Sequence, residues 1–305
     1  MDVRTVAGRL AGRARTALAR RFGVDPRALA ALRISLGLLL LADLALRSRH
    51  LVAFYTDAGV LPRALLREQF PAFATVSLHA MSGSAWAQVG LFVVAGAAAL
   101  ALLAGYRTTL ATAVSFALVV SLHARNPIVL NAGDSVLRRL LFWSVFLPLG
   151  GRWSVDALRE RAGSARSRSA RVASIASAAL LVQVVLVYAT NALFKLRGEN
   201  WLSGEAARYA LGLDSLTILL GDVLGQFPAM LGALDLFWIA LLATSPLLLA
   251  LTGWPRAVFA GLFVGMHLGM AFSLRLGVFP FVSTAGLLVF LPPRFWDAAE
   301  RGAAR

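Results

Sequence analysis

The chain reads as an all-α, polytopic membrane bundle of about eight spans. Three observations predict this. Of 305 residues, 59% are hydrophobic and only 15% are charged, against about 45–50% and about 25% in an average soluble domain. Mean hydropathy is +0.73. The apolar residues also fall in runs near the roughly 20 residues that a helix needs to cross hydrocarbon. Cysteine is absent, which excludes disulfides, thiolate metal sites and a cysteine nucleophile. The net charge of +15 is spread between apolar runs, as membrane loops require. It forms no patch, so nucleic acid is not an expected partner.

Residues 1–22 are basic, and Val6, Leu10, Ala14 and Leu18 step by four along one helical face. This predicts an interfacial amphipathic helix on an anionic membrane surface. Asp25-Pro26-Arg27 separates it from the first apolar run, so it does not read as a cleaved signal. The bundle itself is expected over 23–293, with 294–305 a short cytoplasmic tail. The first span covers about Ala28–Leu46 and a polar stretch runs from Arg47 to Ser84. The second and third spans, Trp86–Gly105 and Thr109–Leu130, are joined only by Tyr106-Arg107-Thr108, which predicts an antiparallel hairpin. A fourth run, Val136–Leu149, is short for a span. The basic loop Arg152–Arg171, rich in Ser, Gly and Arg, is the expected linker. The fifth to eighth spans are Val172–Leu196, Leu234–Leu251, Ala257–Leu274 and Gly277–Leu291, the last stopped by Pro292-Pro293.

With the N-terminus inside and eight alternating spans, eighteen Lys and Arg residues fall on the cytoplasmic side and nine on the other. That bias predicts both termini in the cytoplasm.

Among 30 basic residues only Lys195 is a lysine. Arginine keeps its proton in proteins, whereas a lysine in apolar surroundings can lose it and act as a base. A snorkelling side chain at the interface explains the same position without chemistry. Tyr188, Asn191 and Lys195 are spaced to share one helix face, and polar residues in spans face the bundle interior or a wet cavity. Glu199 is placed to pair with Lys195 or Arg197. Asp134 and Arg138 are four apart, so an ion pair on a helix is expected. Asn131 and Asp134 fall on the same membrane side as Lys195. This predicts a pocket that collects Lys195, Asn191, Asn131 and Asp134; a salt-bridge network that only positions helices is the other reading. His267 lies mid-span beside Gly265, Met266 and Gly269, as a functional group or a polar cross-link between close helices. His50, His79 and His123 are scattered. No His-x-x-x-His, Glu-x-x-His or paired aspartates occur at ligand spacing, so no metal is expected. Phosphate-binding glycine loops and a nucleophile elbow are also missing.

Several motifs occur together and in order. They are Phe54-Tyr-Thr-Asp-Ala-Gly-Val-Leu-Pro-Arg63, the Tyr106-Arg107 turn, Arg125-Asn-Pro, Asn131-Ala-Gly-Asp134, Trp153-Ser-Val-Asp156, Asn191-Ala-Leu-Phe-Lys195-Leu through Trp201, and Phe279–Leu291. With them the chain resembles the horizontally transferred transmembrane (HTTM) domain family, which takes in the membrane portion of the vitamin K-dependent gamma-glutamyl carboxylase. The resemblance implies a carboxylase-like, quinol-dependent membrane enzyme in a prokaryotic plasma membrane. Lys195 would be its base and a reduced menaquinone or vitamin K-type quinol its cofactor. Tyr188, Asn191, Asn131, Asp134, Arg138 and His267 would line or support the site, with membrane lipids and a quinone as partners. The carboxylase carries a histidine in its Asn-rich segment, where this chain reads Asn131-Ala-Gly-Asp134. The alternatives are a non-catalytic lipid- or quinone-binding, transport or accessory protein, and a secondary transporter, which the missing internal repeat weakens.

Overall fold

Apolar runs set where helices form, and polar caps set where they stop. The computed structural model describes residue 12 and residues 16–161 and 171–303, and their regular structure is helical, with two isolated β-bridges, Val24–Val172 and Thr217–Leu274. The principal helices are α1 (Pro26–Ser48), α2 (Ala85–Ala104), α3 (Thr108–Arg125), α4 (Ala132–Ser144), α5 (Ile175–Lys195), α6 (Pro228–Ala243), α7 (Gly253–Ser273), α8 (Phe279–Leu287) and α9 (Pro293–Ala303).

Five of these, α1, α2, α3, α5 and α7, are long and apolar enough to cross a bilayer. The expected eight therefore reduce to five of full length among the described residues. The fourth run forms α4, with 13 residues, about 20 Å of helix against about 30 Å of hydrocarbon. The sixth is displaced to α6, 16 residues that end at Ala243 with Thr244 as C-cap, shortly before Pro246. The eighth is α8 followed by one 3₁₀ turn to Phe290. Of the N-terminal amphipathic segment only residues 16–22 are described in sequence, and they are helical; the rest of that expectation lies outside the described residues. The expected linker opens as a helix, Val155–Arg161, and 162–170 lie outside the described residues. The expected tail is the amphipathic helix α9, whose Trp296 is buried.

The chain forms two compact units. One comprises residues 30–165 and 276–286. The other comprises 1–29, 166–275 and 287–305.

In the first unit, α2 and α3 form the predicted hairpin. Gly105 closes α2 at φ +69° and Arg107 opens α3 at φ +44°, left-handed values that favour glycine at the first position. The last carbonyls of α2 have no helical partner. Arg33 of α1, fully buried, supplies one: it donates to Leu102 O at 2.9 Å, to Leu103 O, and to Trp153 O at 2.5 Å. Asp156 serves the start of α3, accepting from Arg107 N at 3.0 Å, Thr108 N at 2.8 Å and Thr108 Oγ1 at 2.7 Å. Burial pushes its carboxyl up, but the Thr108 and Arg107 donors outweigh that and hold it below the usual range. Asp156→Ala should destabilise the protein by about 1–2 kcal/mol through loss of this cap, read as a lower midpoint of thermal unfolding in detergent.

Asp57 locks the loop before α2. It accepts from the Arg63 guanidinium and backbone, and Arg63 in turn donates to Met81 O at 2.9 Å. The Arg63 hydrogen bonds hold the Asp57 carboxyl below the usual range despite some burial. The folded value is thus below the unfolded one near 3.9. Its contribution is complete above the unfolded value and is lost as pH falls through the folded one. Asp57→Asn should lower the neutral plateau of a stability-versus-pH curve, where the charge contributes fully, and flatten its acid limb.

In the second unit, Arg27 clasps Asp25, Asp297 and Glu300 at 3.0, 2.7 and 3.0 Å, which seats α9. Buried Arg256 donates to Leu248 O and Arg21 O, each at 2.7 Å.

Candidate functional site

Each unit holds one buried polar constellation. In the first, α1, α3 and α4 bring charged residues together. Arg47 donates to Asp43 Oδ2 at 2.7 Å, to the Tyr55 hydroxyl at 3.0 Å and to Asp134 Oδ1 at 2.5 Å. Asp134 Oδ2 also accepts from Asn131 N at 2.7 Å, while the Asn131 side chain accepts from Gly133 N and Asp134 N. That is a reciprocal capping box at the start of α4. Arg138 turns away from Asp134. It donates to His123 Nδ1 at 2.7 Å and to Ser135 Oγ at 3.2 Å. The expected Asp134–Arg138 pair is replaced by Arg47–Asp134, because Arg47 reaches both carboxylates at once.

Asp43, His123 and Asp134 present ligand atoms within 4.8 Å of one another, the spread of a metal centre. The chemistry of the donors argues for a guanidinium there instead. Arg138 can only donate, so His123 Nδ1 accepts and Nε2 carries the proton. Nε2, the nitrogen 3.4 Å from Asp134 Oδ1, then has no lone pair for a metal. Both carboxylates already face Arg47. Two aspartates against two arginines leave the cluster neutral, which suits a low-dielectric surrounding.

In the second unit, α5, α6 and α7 enclose an aromatic core. The Tyr188 hydroxyl lies 3.1 Å from His267 Nε2, and Trp238 and Phe263 complete the group, with ring centroids 4.5 to 6.4 Å apart. Tyr188 and His267 are both buried. Two turns beyond Tyr188 stands Lys195, the last residue of α5 and half-buried. Its Nζ rests 3.0 Å from the centroid of the Trp201 ring. Among the described residues no carboxylate forms an ion pair with it, and Glu199 pairs with neither Lys195 nor Arg197. Asn191 lies one turn back and is exposed. Of the predicted site residues, Lys195, Asn191, Tyr188 and His267 belong to this unit; Asn131, Asp134 and Arg138 belong to the other.

Residues 23–296 match the HTTM domain. The chain belongs to the HTTM domain family. No curated protein and no solved structure matches it.

Seen on the fold, most of the HTTM signature residues cap helices or lock loops. Asp156 caps α3, Asn131 caps α4, and Asn126 donates to Phe54 O at 2.9 Å. Arg125, fully buried, donates to Leu61 O at 2.8 Å. Lys195 is the exception, since its amine satisfies no backbone group. Asp43, Arg47, Tyr55 and His123 of the HTTM bundle were not among the predicted site residues. The one local signal was the i,i+4 spacing of Asp43 and Arg47.

Proposed function

We propose that this HTTM protein is a quinol-dependent membrane enzyme of the carboxylase-like type, with Lys195 as its base. The observation that carries the reading is the setting of the only lysine: half-buried at a helix end, on an indole face, outside ion-pair reach of any described carboxylate. An amine so placed can exist neutral, as a base must. The indole face favours the ammonium that forms when it takes a proton. Trp201 therefore shields the amine and stabilises its charged form.

The donor set suits a hydroxylated aromatic ring. Lys195 would meet a ring hydroxyl, Trp201 would offer a π-face, and Asn191 a donor and an acceptor. Exposed Leu193 and Phe194 beside them supply apolar surface on the same turn. When bound, a reduced quinol supplies acidic hydroxyls and reducing electrons; Lys195 Nζ takes the proton. Counted over eight alternating spans, the two-to-one distribution of Lys and Arg supports both termini in the cytoplasm, and the family resemblance supports a prokaryotic plasma membrane.

A chain with one lysine permits a direct test. The purified protein is treated with an amine-selective acylating reagent, and modification of Lys195 is followed by mass spectrometry. Reduced menaquinone should slow that modification several-fold, with the N-terminal amine as internal reference. Equal rates at saturating quinol would overturn the reading.

A further inference from the structure

The segment after α5 crosses back as a strap of two short helices, Glu199–Leu202 and Ala206–Leu211. Three contacts tie it together and to α6. Gly204 N donates to Trp201 O at 3.3 Å. Gly204, at φ +73°, lies against Gly232 of α6 so closely that a Cβ on Gly204 would come 3.0 Å from Gly232 Cα. Asp235 Oδ2 accepts from Ala207 N at 2.9 Å, capping the second short helix. Asp235 is 3% exposed, yet no described cation lies within ion-pair distance of it. Three residues further along α6, Trp238 packs on Tyr188 with ring centroids 6.4 Å apart. One stretch of α6 therefore holds both the core face of α5 and the strap beyond its end.

A neutral cap would serve the strap as well as a charged one, since asparagine caps as effectively as aspartate. A buried carboxylate costs desolvation that hydrogen bonds and nearby positive charge offset. The Ala207 and Ala206 backbone N–H groups supply the first, and the Lys195 ammonium the second, across a gap wider than a contact pair.

We propose that Asp235 is the positioning residue of the Lys195 site, pinning the strap that lays Trp201 on the amine while its charge acts on that amine. The idea rests on the Lys195 reading above, and it makes two roles separable. Asp235→Asn keeps the acceptor for Ala207 N and removes the charge. Asp235→Ala removes both. Gly232→Ala keeps the carboxylate and crowds Gly204, since the new Cβ would lie 3.2 Å from Gly204 O.

The test is the acylation rate of Lys195 at fixed neutral pH, without quinol. Asp235→Asn should raise it about 5-fold, because the ammonium loses its counter-charge. Asp235→Ala should raise it further as the indole lifts away. Gly232→Ala should raise it through uncovering alone; if that protein fails to fold, the comparison of Asp235→Ala with Asp235→Asn carries the same test, since equal rates would remove the strap. A wild-type rate in Asp235→Asn removes the electrostatic role, and a wild-type rate in Gly232→Ala removes the strap; either overturns the proposal. Because no quinol is present, a failure of quinol protection would sink the functional reading and leave this result standing.

Discussion

Lys195→Arg should lower quinol-dependent turnover by about 10²–10⁴-fold, the range spanned by loss of a general base. The substitution is chosen for what it preserves. Arginine keeps the positive charge, reaches as far, and stacks on an indole face at least as well as lysine. The contact with Trp201 therefore persists in kind, and α5 keeps a cation at its C-terminus, where the helix dipole favours one. What disappears is the ability to become neutral. Turnover is followed as quinol oxidation in the variant and the parent, with thermal unfolding of both alongside. A lost rate with an unchanged unfolding midpoint is the expected pair. Turnover within 2-fold of the parent would reduce Lys195 to a helix-end anchor and favour a non-catalytic lipid- or quinone-binding role.

Arg47→Ala should destabilise the protein by about 3–5 kcal/mol, the cost of breaking a buried ion pair by removing one partner. Asp43 is buried with an accessible side chain of only 8%, and Asp134 with 1%. Each would face low dielectric without its counter-charge. Thermal unfolding in detergent should drop by roughly 10 °C on the scale for chains of this size. Arg47→Lys should rescue only part of the loss, since one ammonium cannot fork to two carboxylates and a phenol as Arg47 does. Combining Arg47→Met with Asp43→Asn should recover much of the stability, because Asp134 then still balances Arg138 and no uncompensated charge remains.

Hydropathy made the helical class legible, because 20-residue apolar runs have few alternatives. The α2–α3 hairpin was equally plain, since three polar residues between two long runs leave only a tight reversal, and Gly105 supplies its conformation. Lys195 was found by counting, as a lone amine needs no partner to be noticed. Asn131 and Asp134 were harder. Their spacing is also that of a capping box, and the structure shows them making one. The Arg47–Asp134 pair was out of reach because its members lie 87 residues apart; nothing local in either segment names the other. The short α4 was hinted at by its length but masked by its apolar content, which buries its face against α3 rather than lipid. Asp235 was silent because a single acidic residue in an apolar run carries no pattern.

The charge cluster of the first unit also imposes an order on biogenesis. As the nascent chain emerges, α1 reaches the insertion machinery carrying Asp43 and Arg47 one turn apart, already compensating each other. Asp134 is translated much later, on a segment too short to be threaded as a span in its own right. It must find its seat after its neighbours are already in the lipid, and the guanidinium waiting on α1 is the mooring that receives it.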